Sequence, residues 1–153
     1  MAGIVVAIVL ISFVAYEILN APGDVTLPNP PSHFTVNGHT FTLTYIATDE
    51  HSREVGLMNK AITNTTTMLF VFPSPGYYAF WMSGVNSSLD IIWLSMNGDR
   101  GSAVYIANDV PACNASVLSP NYMPTASASW VLEVQGGFCN KYGVTAGSEI
   151  QFN

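Results

Sequence analysis

Charge is what this sequence has least of. Lys and Arg together number 4, and Asp and Glu 10, among 153 residues, so charged side chains make up 9% of the chain. An ordinary soluble domain carries roughly 25%. A net charge of -6 argues against nucleic acid as a partner, because phosphate recognition needs a basic face. Histidine is scarce as well. His33, His39 and His51 stand too far apart for a ligand motif, and no Cys-x-x-Cys pair exists, so no metal site is expected. No Gly-x-Ser-x-Gly surrounds Ser52 or Ser83, and nothing pairs either with His51. The sequence thus offers no catalytic residues and no cofactor signature.

Cysteine is nearly absent. Cys113 and Cys139 are the two in the chain. In an exported protein the default is a disulfide, with two buried thiols as the alternative. The expectation is an intrasubunit bridge. Export itself is favoured by the uncharged, Ser/Thr/Asn-rich composition and by three glycosylation sequons, at Asn64, Asn86 and Asn114.

Apolar residues, by contrast, reach 49%, enough for one compact domain and a short appendage. The appendage is the run MAGIVVAIVLISFVAYEIL at residues 1–19. As a helix it would measure about 28 Å, close to the hydrocarbon thickness of a bilayer. One apolar N-terminal α-helix is therefore expected over residues 1–20. It is apolar nearly all round, which suits complete burial. Gly3, Ala7 and Ala15 are small enough for close helix–helix approach, and Glu17 is its single charge. No basic residue precedes the run, as expected where a basic leader has been removed. Residues 21–32 hold four of the nine prolines and read as an extended linker.

Residues 33–153 read as a β-rich head. Asn37-Gly38 separates two alternating runs, Phe34–Val36 and Thr40–Tyr45, as a hairpin turn does. A short helix with Asp49 or Ser52 as its cap is expected between Asp49 and Asn59. Three apolar blocks follow, Met68–Phe72, Phe80–Met82 and Leu89–Leu94, each bounded by turn residues and each read as a buried strand. Further strands are expected at Gly101–Val110, Trp130–Gln135 and Glu149–Phe152, with a loop from Pro111 to Ala128 and a short helix from Phe138 to Tyr142. Seven or eight strands give a mainly β fold, a closed or sandwiched domain with short helices.

The head also carries a family resemblance. Arg53-x-x-Gly56-Leu57-Met58, Met68–Phe72, Phe80-Trp81-Met82 and Leu89-Asp90-Ile91-Ile92 resemble the family called domain of unknown function 192. So do Val110–Cys113, Trp130–Glu133 and Tyr142–Ser148. The likeness covers roughly residues 35–152, and it implies a domain without implying an activity.

Three polar residues fall on these motifs: Arg53, Asp90 and Glu133. Together they could hold a small polar ligand. Alternatively, Arg53 or backbone donors could simply satisfy Asp90, since a lone carboxylate in an apolar strand is costly. Tyr77, Tyr78, Phe80, Trp81 and Trp93 could form a carbohydrate platform or belong to the core.

Two functions fit. In the first, the chain is an exported cell-surface filament subunit, assembled with copies of itself through the N-terminal helix. An apolar helix, a β-rich head and sequons resemble archaeal type IV pilins, although Val5 stands where bacterial pilins have Glu. In the second, the helix anchors an extracytoplasmic binding protein, or an enzyme of unknown type, in the membrane, with a small-ligand pocket in the head.

Overall fold

The computed structural model describes residues 23–153. The expected helix over residues 1–20, with Gly3, Ala7, Ala15 and Glu17, lies outside the described residues. Among the described residues no helix is long and apolar enough to cross a membrane.

The fold is one eight-stranded sheet. Its strands are β1 (His33–Val36), β2 (His39–Thr42), β3 (Tyr45–Ala47), β4 (Thr67–Gly76), β5 (Leu89–Asn97), β6 (Arg100–Val110), β7 (Ala128–Gln135) and β8 (Glu149–Phe152). Among the described residues two short helices, α1 (Glu50–Val55) and α2 (Phe138–Tyr142), accompany it. The strand order is β2-β1-β8-β6-β5-β7-β4-β3. Every pairing is antiparallel except that of β3 with β4.

The two edge strands, β2 and β3, are consecutive in the chain, with only Leu43 and Thr44 between them. The sheet must therefore curl until its edges meet. Thr67 stitches the seam: its hydroxyl donates to the Thr42 carbonyl at 2.8 Å and accepts from the Thr44 N–H at 2.9 Å. The result is a mainly β half-barrel, within the fold class the sequence implies.

Side chains alternate between two cores, as the period of a strand requires. Leu69 and Val71 of β4, Ile92 and Leu94 of β5, and Leu132 and Val134 of β7 join Phe34, Ile150 and Phe152 on the concave side. Met68, Phe70 and Phe72, Leu89, Ile91 and Trp93, and Val131 face the other way. That outer core is covered by α1 and by the connections around residues 56–66, 77–88 and 111–127. Val25 and Leu27, from the proline-rich segment, pack against the concave core.

Local chemistry explains the punctuation. Asn37 (φ 47°) and Gly38 (φ 80°) both take the left-handed conformation that the β1–β2 turn needs. The Asn37 amide donates to the carbonyls of Tyr142 and Gly143, each at 2.9 Å, which satisfies the end of α2. Asp49 caps α1: its carboxylate accepts from the Ser52 N–H at 2.8 Å, and the Ser52 hydroxyl returns to the Asp49 N–H at 3.2 Å. Those hydrogen bonds hold the half-buried Asp49 carboxyl below its ordinary pKa.

Three expectations change. Phe80–Met82 is not a strand. Phe80 bridges Tyr122 alone, and the block folds over the outer face, where Phe80 and Met82 are buried by packing without joining the sheet. Pro73–Gly76 is not a turn that ends β4. The strand runs on to Gly76 across an irregularity after Val71, with Pro73 and Pro75 exposed, where a missing N–H costs little. The expected disulfide is absent. Cys139 is buried in the concave core, whereas Cys113 packs against the outer one, so the sheet itself separates the sulfurs. Burial, reinforced by the Asp90 carboxylate beside it, also raises the Cys139 thiol far above its ordinary pKa.

Asp90 is 1% exposed, and backbone donors satisfy it. Between Leu89 and Ile91, β6 carries an extra residue opposite β5, a bulge that places Asp109 (φ 47°) beside the carboxylate. The Asp109 N–H donates to Asp90 Oδ1 at 2.6 Å and the Gly137 N–H at 3.2 Å, while the Cys139 N–H donates to Oδ2 at 2.7 Å. Asp90→Ala would strand these three donors. An unpaired buried donor costs about 1–3 kcal/mol, and two of the three are partly wet, so the variant should lose about 3 kcal/mol in denaturant unfolding. Asp90→Asn keeps one acceptor oxygen and should lose less. Equal midpoints for Asp90→Ala and the parent would refute this role.

Candidate functional site

The outer face of the sheet holds a cavity of about 390 Å³, within the range of small-molecule pockets. Its floor is made by Phe70 and Phe72 of β4 and Glu133 of β7. One wall is α1 and the turn after it, with Arg53, Leu57 and Met58; the opposite wall is the connection carrying Tyr78, Phe80, Trp81 and Val85.

Aromatic contacts hold that second wall in place. Phe72 and Tyr78 stack at 3.6 Å between ring centroids. Phe80 meets Phe70 edge to face at 4.8 Å and Trp93 at 5.6 Å. The Trp93 indole N–H donates to the Tyr78 carbonyl at 2.9 Å, and the Tyr78 hydroxyl to the Ser74 carbonyl at 2.7 Å. Phe80 and Trp93 are therefore core residues, while Tyr77 (61%) and Trp81 (41%) remain exposed. Of the aromatics considered for a carbohydrate platform, only those two face solvent strongly. Gly84 (φ 71°) allows the loop to approach Met58: a Cβ there would sit 2.6 Å from the Met58 side chain.

Glu133 is the unusual group. It lies on a central strand between Met68 of β4 and Ile91 of β5, it is 4% exposed, and it lines the cavity. Burial pushes its carboxyl pKa up to about 8, and among the described residues neither a hydrogen bond nor a counter-charge offsets the loss of water. At neutral pH the side chain is mainly the uncharged acid.

Arg53 also lines this cavity, but it does not reach Asp90. Its guanidinium donates to the Val71 carbonyl at 2.9 Å and to the Gly23 carbonyl at 3.1 Å, and sits 5.3 Å over the Phe72 ring. Thus Arg53 and Glu133 share one site, whereas Asp90 belongs to the opposite face of the sheet. A second hollow there is lined by Asp90, Asn108, Asp109 and Asn140, and its buried carboxylate is already satisfied by N–H donors. Glu50, Glu54, Met58 and Ser83 line the outer-face cavity too; in the sequence Glu50 and Glu54 read only as helix residues, Met58 as part of the family motif and Ser83 as a serine without a catalytic context. Among the described residues no three His, Cys, Asp or Glu side chains converge as metal ligands do. Asn64, Asn86 and Asn114 are all exposed.

A family model described as an uncharacterized ACR, domain of unknown function 192 (DUF192), matches residues 32–152. The chain belongs to the DUF192 family. Solved structures share the fold. A protein of unknown function from Novosphingobium aromaticivorans superposes with a TM-score of 0.65 at 21% identity, covering 86% of this chain and 92% of its own. A candidate transcription regulator from Sinorhizobium meliloti gives 0.62 at 24% identity, covering 82% and 98%. No curated protein matches the chain in sequence. At these identities the likeness fixes the architecture of this DUF192 domain and leaves its chemistry to the residues of the cavity.

The raised Glu133 pKa has a stability consequence. Below pH about 4.5, the ordinary value for Glu, folded and unfolded chains both hold the proton. Between about 4.5 and 8 the unfolded chain releases it while the folded chain keeps it, so stability falls as pH rises through that window. Glu133→Gln should remove this slope and melt higher than the parent near pH 8, by about 2–4 kcal/mol. Parallel pH–stability curves for the two proteins would show that the Glu133 carboxyl is hydrated instead.

Proposed function

We propose that the DUF192 head is a small-molecule-binding module, held at the cell surface by the apolar segment at residues 1–19. The observation that supports this reading is the buried carboxyl of Glu133, which lines an aromatic-walled cavity with no hydrogen-bond partner among the described residues. A buried polar group is ordinarily hydrogen-bonded, and a carboxyl perturbed by desolvation inside a cleft is a candidate functional group. Nothing in the fold requires an acid at this position, because its neighbours Met68 and Ile91 are apolar. The test is a methyl-detected NMR screen with small aromatic compounds. Binders should shift Leu57, Met58 and Val85 around the cavity and leave Val144 and Ile150 in the concave core unmoved. A cavity that takes none of them at millimolar concentration would overturn the reading.

A second reading, the filament subunit, rests on the sequence of residues 1–19, whose Gly3, Ala7 and Ala15 favour close helix packing. Packed interiors respond to changes of one or two methylenes. Ala7→Leu should therefore abolish assembly or change its helical symmetry under this reading. Unchanged surface display of the variant would identify an anchor.

A further inference from the structure

The binding reading can be carried to a class of ligand. Glu133 places an acid at the bottom of a hollow whose walls are ring faces and edges: the Phe72–Tyr78 stack, Phe80 and Trp81. An anion brought to that floor would meet a carboxyl group in a desolvated setting, which repels it once ionised and offers it one proton otherwise. A purely apolar ligand would cover the carboxyl without offering it a donor. An ammonium group meets both needs, since it offers N–H donors and a charge to the carboxylate while aromatic quadrupoles attract its polarised C–H and N–H groups.

Charge at the mouth agrees. Glu50 and Glu54 line the entrance with Arg53, and the Arg53 guanidinium is directed to the carbonyls of Val71 and Gly23 and to the Phe72 ring. The whole chain is acidic, at -6, which attracts cations and repels anions at long range.

Resting on the cavity's role as a binding site, we propose that its occupant is a small organic ammonium ion with an apolar or aromatic body, its nitrogen seated on the Glu133 carboxylate. The proton balance follows. The free site holds a carboxylic acid; the cation enters, the O–H bond of the acid breaks, and the proton leaves to solvent. The complex is then a carboxylate–ammonium pair, and its net charge equals that of the free protein. Cation and proton compete for one group, so affinity should rise with pH until Glu133 would ionise unaided, near pH 8. Among the described residues the other titratable or charged groups lining the cavity are Glu50, Arg53, Glu54 and Tyr78, with His51 on the same helix. Replacing Glu133 separates its contribution from theirs.

The experiment is calorimetric titration of the full chain with three indole probes of matched shape: tryptamine, tryptophol and indole-3-acetate. Repeating it in buffers of different ionisation enthalpy counts the protons released. At neutral pH tryptamine should bind at least about tenfold tighter than tryptophol, a difference of about 1.4 kcal/mol, and should release about one proton per ligand. Indole-3-acetate should not bind. In Glu133→Gln the preference and the proton release should both vanish while tryptophol still binds. Glu50→Gln/Glu54→Gln should keep the proton release. If tryptophol binds as tightly as tryptamine and no proton leaves, the cation inference is overturned and the cavity reading survives. If proton release persists in Glu133→Gln, the assignment to Glu133 is overturned. If none of the probes binds and the methyl screen is also blank, the cavity reading falls and takes this inference with it.

Discussion

A carboxylate that needs no counter-ion organises the centre of this domain. Asp90 sits inside the curled sheet and gathers N–H groups from the β6 bulge and from the start of α2. The arrangement solves two problems at once. It gives a buried charge hydrogen-bond donors without importing a cation, which this chain can hardly supply with four Lys and Arg in all. It also gives a bulge and a helix start, both of which leave N–H groups without ladder or helical partners, an acceptor strong enough to hold them. Three segments distant in sequence are thereby pinned around one side chain, and β5, at the middle of the sheet, is fixed in depth as well as in register.

Much of the fold is legible in the sequence where one local interaction decides the conformation. Asn37-Gly38 turns because both residues tolerate positive φ, and Asp49 and Ser52 begin a helix because each side chain satisfies the other's backbone. Apolar blocks are harder. Met68–Phe72 and Phe80–Met82 look alike on paper, yet only the first finds neighbours on both sides. Burial explains the apolarity of both; pairing depends on distant partners that a short run does not specify. Pro73 and Pro75 misled for a related reason. A proline stops a strand only where its absent N–H would have been needed, and an exposed stretch does not need it.

The site shows the same divide between kind and place. That Arg53, Asp90 and Glu133 are exceptional follows from their setting in apolar motifs. Their grouping does not, because strands on one sheet share a side only when register puts them in step. Asp90 lies opposite Val134 and Glu133 opposite Ile91, so the two acids point to opposite faces although they belong to adjacent strands. The cysteines are divided by the same sheet. A cavity assembled from a helix, a loop and two strands has no signature in any one of them. The signals visible in the sequence were scattered: Arg53, the aromatics Tyr78, Phe80 and Trp81, and Glu133, a carboxylate in the run Trp130-Val131-Leu132-Glu133-Val134.

The seam where β2 meets β3 has a bearing on how copies of this domain could meet. An open sheet edge is a row of unsatisfied amides and carbonyls, and such rows recruit strands from other molecules. Here the two edges face each other, joined through Thr67, and the Val25 N–H donates to the Thr48 carbonyl at 2.8 Å as residues 23–27 run past the end of β3. Thr67 and residues 23–27 thus occupy part of that border, and a strand from a second head would meet them before it met the sheet.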